Sequence, residues 1–299
     1  MQSEIIFKPL KFDWVAIHPE PIGVVQFIGG AFFGTFPTIF YRDLLGSIFS
    51  QGYTIVAKPY RFTFRHWSVA IDLLDSQADL FKSILLEAES LGYSGLHLYQ
   101  NYINAIKDPE IILEKGKYFW LGHSLGCKYI ALLELLSILE SVDPEDANLR
   151  SDIGAAVKKY GNVNLNDIAS LTNQSMILLA PVLADLRNAI PIPALANLFA
   201  KFGLEVIPSE KETKDLVVAA ARNNGGRFNL VNITGFEGDV RAKDTLDWSS
   251  QFRNRFVGGF DPTLSVRYIP LGPHLSPMGA KNIDSRTVDA VKDALSKLS

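Results

Sequence analysis

Ser124 stands in the run Gly122-His123-Ser124-Leu125-Gly126, which has the form G-x-S-x-G. A serine hydroxyl is a weak nucleophile at neutral pH and needs a base beside it. Small residues two before and two after the serine let a strand turn sharply into a helix, so that the hydroxyl projects above a sheet. The apolar run Tyr118–Leu121 precedes the motif directly, and helical spacing from Lys128 to Leu139 follows it. That is the strand–turn–helix setting the chemistry requires. Five residues alone recur by chance; the setting gives them weight.

Where such an elbow carries a nucleophile, the acid and the histidine follow it in that order. The chain has five histidines: His18, His66, His97, His123 and His274. Only His274 follows Ser124 with room for an acid between. It lies in the loop Pro270–Pro277, directly after an apolar run. The acid should follow the preceding strand, which points to Asp239 in Ile233–Val240. Glu237 and Asp244 compete with it, and Asp185 is a more distant competitor. A carboxylate there would fix the histidine tautomer and stabilise the imidazolium. An oxyanion needs two backbone donors. Leu125, next to the serine, is one. Gly29-Gly30-Ala31 follows an early strand, and either Gly30 or Ala31 fits as the second.

His123 and the aromatics Phe32, Phe33, Phe36 and Tyr60 are candidates for the walls of a substrate site. An apolar mouth of that kind suits a hydrophobic ester. The competing reading packs those rings into the core. Arg61 and Arg65, interleaved with aromatics, read as solvated.

The elements that must position these groups alternate between short β-rich runs and helical spacing. Strands are expected at Asp13–His18, Gly23–Ile28, Tyr53–Ala57, Tyr118–Leu121, Met176–Ala180, Asn229–Thr234 and Ser265–Ile269. Helices are expected at Phe40–Ser50, Ser68–Gly92, Lys128–Leu139 and Thr287–Leu298. Strands separated by helices imply an α/β fold with a mostly parallel sheet covered on both faces. The first two strands are close enough to form a hairpin, which gives the sheet an antiparallel start. Two segments break the alternation. Ser141–Asn173 is polar and turn-rich. Residues 182–226 hold the apolar run Ile190–Phe199 and read as a lid or cap within one domain spanning 1–299, or as a plain helical crossover.

The formal net charge is −3 over 299 residues, with no basic excess to attract nucleic acid. The single cysteine, Cys127, cannot form an internal disulfide or a multi-cysteine metal site. Cys127 reads as a small buried residue. No metal or organic cofactor is expected, because Gly29-Gly30 is not followed by a full dinucleotide-binding pattern and no P-loop occurs. Met1–Lys8 lacks the pattern of a signal peptide, and no apolar run reaches the ~18 residues of a membrane span. These features lead us to expect a soluble protein of a reducing, cytoplasmic compartment, with peripheral membrane contact open and the oligomeric state unassigned.

The elbow, Asp239 and His274 together resemble the α/β-hydrolase superfamily over most of the chain. More narrowly, Phe27-Ile28-Gly29-Gly30-Ala31-Phe32, then Pro37 and Tyr41, Gly52-Tyr53 and Pro59-Tyr60 are similar to an uncharacterised hydrolase-like family of cyanobacteria and plant chloroplasts. The superfamily resemblance implies an esterase- or lipase-like serine hydrolase acting through an acyl-enzyme, and the aromatic residues near the site point to a hydrophobic or lipid-like ester. The alternatives are a hydrolase-fold protein that binds an apolar ligand or partner without turnover, and an acyltransferase.

Overall fold

The computed structural model describes residues 5–137 except 76 and 109, then 151, 153–155, 158 and 159. It also describes 171–183 except 172, 205–223, 231–255, and 265–299 except 271 and 280–282. Eight strands form one sheet: β1 (Lys8–Leu10), β2 (Asp13–Ala16), β3 (Gly23–Ile28), β4 (Tyr53–Ala57), β5 (Tyr118–His123), β6 (Ser175–Leu179), β7 (Val231–Phe236) and β8 (Ser265–Ile269). Their order is β1-β2-β4-β3-β5-β6-β7-β8. The β1–β2 and β2–β4 pairs are antiparallel, and every other pair is parallel.

The expected hairpin between Asp13–His18 and Gly23–Ile28 does not form, because β4 lies between them. All six residues of β3 are buried, and both its edges are taken by parallel partners, β4 and β5. The edge hairpin is β1–β2, in register from Lys8 opposite Val15. Three residues, Lys-Pro-Leu, with a lysine and an exposed proline, carry too little pattern to read β1 as a strand.

Period-two alternation sorts the central strands onto two cores. Val25, Phe27, Phe119, Leu121, Ile177 and Leu179 face one side of the sheet. There they meet α2 (Arg42–Phe49), which follows the short α1 (Pro37–Phe40), and the C-terminal helix Ser285–Leu298. Ile28, Trp120, Met176 and Ile233 face the other side, against α3 (His66–Asp75) and α6 (Leu125–Ser137). Two further helices, α7 (Glu210–Asn223) and α8 (Lys243–Arg255), add Val217, Ala220 and Leu246 to that core. The C-terminal helix is therefore α9. Each fully buried Leu, Ile or Phe contributes roughly 1.5–3 kcal/mol relative to exposure.

The helix expected from Ser68 to Gly92 is two helices, α3 and α4 (Gln77–Ser90). The two halves bury different partners. Trp67, Ala70 and Leu74 pack with α6. Leu80, Phe81 and Ile84 pack with α5 (Leu96–Lys107) beside Val15, Val24 and Val56. One straight helix could not serve both clusters. Most of the 182–226 insertion lies outside the described residues. Its described part includes α7, which packs on α6 through Val217 and Ala220. Ser141–Asn173 likewise falls largely outside them. No described helix is long and apolar enough to cross a membrane.

Candidate active site

The last residue of β5 is His123, and α6 starts at Leu125, so Ser124 alone makes the turn. Its φ is 54°, in the left-handed region that a non-glycine residue rarely adopts. Such a conformation costs on the order of 1–3 kcal/mol and persists only where the surroundings over-determine it. Here they do. Ser124 N–H donates to the Leu179 carbonyl at 3.0 Å, and the Ser124 carbonyl accepts from Cys127 N–H at 3.1 Å and Val182 N–H at 3.2 Å. The helix also passes very close to β3. A Cβ on Gly126 would lie 2.1 Å from the Ile28 carbonyl oxygen, so no other residue fits.

The turn sets Ser124 Oγ 2.8 Å from His274 Nε2. On the far side of the ring, His274 Nδ1 lies 2.7 Å from Asp239 Oδ2. Asp239 is buried within the loop after β7. Its other oxygen, Oδ1, accepts from Arg241 N–H at 2.9 Å and Ala242 N–H at 3.2 Å. These bonds aim Oδ2 at the histidine. Burial pushes the Asp239 carboxyl up. The hydrogen bond and charge of His274, with the two backbone donors, outweigh that and hold it below the usual carboxylate range. The competing acids are elsewhere: Glu237 and Asp244 are exposed, and Asp185 lies outside the described residues.

The loop after β3 runs over the elbow. A Cβ on Gly30 would come within 3.1 Å of Ser124 Cβ. The loop backbone is heavily tied. The Gly29 carbonyl accepts from Tyr60 Oη at 3.0 Å, and the Gly30 carbonyl from Gly34 N–H at 2.6 Å. Gly30 N–H donates to Tyr41 Oη at 2.8 Å. The Gly30 amide is therefore occupied, which removes it as an oxyanion donor. The N–H groups of Ala31 and of Leu125, at the start of α6, have no partner among the described residues. An α-helix N-terminus beside them also favours negative charge.

The candidate wall residues divide. Phe36 is 56% exposed, and Phe32 stacks on Phe62 with ring centroids 4.2 Å apart. Phe33 instead packs edge-on against Phe40 over the core beneath α2. Tyr60 is buried against Tyr129, and its hydroxyl holds the Gly29 carbonyl. His123 is 1% exposed. Its Nε2 lies 2.9 Å from the His274 carbonyl and its Nδ1 2.8 Å from Tyr41 Oη. Phe33, Tyr60 and His123 thus belong to the scaffold behind the site, not to its walls. Two residues adjacent in sequence to functional groups can face opposite ways, and sequence proximity alone misleads here.

Tyr41 carries no signal of a site role in the sequence. Only its 82-residue separation from His123, closed by the fold, reveals it. Burial pushes the Cys127 thiol well up, so it stays protonated beside the Leu179 carbonyl. Among the described residues, no group of three His, Cys, Asp or Glu side chains is placed to hold a metal.

A family model described as "Protein of unknown function (DUF1350)" matches residues 7–144. That stretch holds β1 to β5, Tyr41 and the elbow, but neither Asp239 nor His274. No curated protein matches the chain. Among solved structures, the Francisella virulence factor BioJ is 12% identical with a TM-score of 0.54, covering 99% of this chain and 86% of that one. A protein of Lactobacillus plantarum, provisionally assigned as a carboxylesterase, is 11% identical with a TM-score of 0.52 over 98% of each chain. With the sheet order and two covering helix layers, this likeness makes the chain an α/β-hydrolase fold.

Proposed function

We propose that the protein is a serine hydrolase that cleaves a carboxylic ester with a hydrophobic acyl or alcohol group. The observation that carries this reading is the continuous chain from Ser124 Oγ through His274 to Asp239, at 2.8 and 2.7 Å, on a strained elbow.

In this reading Ser124 Oγ attacks the ester carbonyl as His274 Nε2 takes its proton. The resulting oxyanion accepts from Leu125 and Ala31 N–H, in a site where fixed dipoles act strongly. His274 then gives the proton to the departing alcohol, leaving an acyl-serine. Water repeats the sequence: His274 takes its proton, the hydroxide oxygen bonds to the acyl carbon, and the carboxylic acid leaves as Ser124 is restored. Asp239 steadies the imidazolium in both halves and keeps Nε2 directed at the serine.

The preference for a hydrophobic ester draws support from apolar surface on segments that meet at the site. Phe36 and Ile39 are exposed just after the loop that overlies Ser124, and Leu275 is exposed next to His274. Gly279 N–H donates to the Phe40 carbonyl at 3.2 Å, which joins those two segments. The narrower likeness to cyanobacterial and chloroplast proteins adds no substrate.

A series of p-nitrophenyl esters of increasing acyl length tests both parts. Wild type should hydrolyse them, with kcat/KM rising from acetyl to longer chains, and Ser124→Ala should be inactive while folded. A preference for acetyl would refute a hydrophobic acyl group. Equal activity in Ser124→Ala would refute the nucleophile.

A further inference from the structure

We propose that His123 is a positioning residue, a neutral imidazole in the Nε2–H tautomer that, with Tyr41, locks the loops bearing nucleophile, base and oxyanion donor into one register. The proposal rests on the hydrolase reading above and assigns a role to two residues which that mechanism leaves unused.

The polarity of the network follows from what each atom can do. The His274 carbonyl only accepts, so His123 Nε2, at 2.9 Å, must carry the proton. Burial, and secondarily the neighbouring His274, push the His123 pKa down to about 3, against weaker opposition from the His274 carbonyl and Asp239. The ring is therefore neutral near pH 7, and Nδ1 is a bare acceptor. The Tyr41 hydroxyl, 2.8 Å away, must then donate to it. Burial keeps that phenol protonated by raising its pKa. With its hydrogen committed, Tyr41 Oη presents a lone pair to Gly30 N–H at 2.8 Å.

The result is one directed chain: Gly30 N–H to Tyr41 O–H to His123, and His123 Nε2–H to the His274 carbonyl. Its three anchors lie on the oxyanion loop, the elbow and the base loop. Gly30 precedes Ala31 directly, so fixing the Gly30 amide fixes the direction of the next one. Holding the His274 carbonyl restrains the residue whose ring must stay 2.8 Å from Ser124 Oγ.

The test has two arms. Nitrogen-15 NMR of the histidine side chains should find His123 as the neutral Nε2–H tautomer, untitrated from about pH 5 to 9. A Nδ1–H tautomer, or titration near the ordinary histidine range, would overturn the proposal. In the second arm, Tyr41→Phe removes both bonds at little steric cost. Its rate of phosphonylation at Ser124 by a fluorophosphonate should fall by about tenfold or more, while the protein stays folded at 25 °C with a melting temperature lowered by the two buried groups left unpaired. In the same variant, His123 should keep the Nε2–H tautomer, because the His274 carbonyl still accepts from it. A folded Tyr41→Phe protein that reacts at the wild-type rate would overturn the positioning role. A wild type that never reacts would overturn this proposal together with the hydrolase reading, whereas a reactive wild type with the wrong tautomer overturns this one alone.

Discussion

At Ser124 the backbone and the side chain answer to different neighbours. The backbone is clipped to β6 through Leu179 and to the following segment through Val182, while Oγ is left to face His274. The histidine is oriented in turn by a carboxylate whose second oxygen is occupied by two amides. Asp239→Asn should leave the fold intact but lower kcat by roughly 10⁴, because the amide favours the wrong histidine tautomer. Steady-state ester hydrolysis, with circular dichroism as the control, measures it; a loss under tenfold would contradict the role given to Asp239. The buried histidine beside the elbow has its own signature. Its pKa is about 3 in the fold against an ordinary 6.5, so between those values the unfolded chain binds a proton that the folded chain does not. Stability due to this group is therefore present above about pH 6.5 and lost as pH falls toward 3. Asp239, also depressed, adds a loss of the same sign at lower pH, below the ordinary carboxylate value of 3.8. Urea unfolding of wild type and His123→Gln at pH 7, 5 and 4 should show a shallower decline in the variant. Parallel declines would mean that His123 is not held neutral.

At the scale of the element, the elbow depends on how closely α6 can approach β3. Gly126→Ala would drive a methyl group into the Ile28 and Gly29 carbonyls, 2.1 and 2.7 Å from the added carbon. Relieving that clash must move either the helix or the loop that carries Ala31. The expected outcome is a lower melting temperature together with at least a hundredfold loss of esterase activity; a stable, active Gly126→Ala protein would contradict the geometry. Much of this was legible beforehand. The central parallel strands β3 and β5 are short, wholly buried runs rich in apolar residues, and the elbow sits between β5 and a helical pattern. Other elements were not legible. Most of α8 is polar, so no apolar stripe marks it, and α5 mixes Tyr and Asn with its Leu and Ile positions. Asp239 and His274, which the structure joins to Ser124 by hydrogen bonds, could be picked out because chain order restricts the candidates. The Tyr41–His123–His274 chain could not, since it joins residues 82 and 151 apart whose meeting depends on the whole sheet.

At the scale of the molecule, the sheet's central parallel strands carry the site, and its antiparallel edge is tied on by a buried ion pair. Lys58 follows β4, and its Nζ lies 2.8 Å from Oδ2 of Asp13, at the start of β2, with both side chains nearly inaccessible. Removing one partner strands the other charge in a poorly solvated place, a loss of about 3–5 kcal/mol. Asp13→Ala should lower unfolding free energy by that order in urea, while the surviving folded fraction keeps wild-type kcat because Ser124, Asp239 and His274 follow other strands. A change under 1 kcal/mol would show that the pair is not effectively buried. Ester hydrolysis by this route requires Ser124 to be an activated nucleophile. Incubating the intact protein with a fluorophosphonate, followed by peptide mass spectrometry, tests this most directly. The expected result is one stoichiometric adduct on the peptide bearing Ser124, absent in Ser124→Ala and strongly slowed in His274→Ala. A folded wild-type protein that remains unmodified, or is modified elsewhere at the same rate in Ser124→Ala, would contradict it.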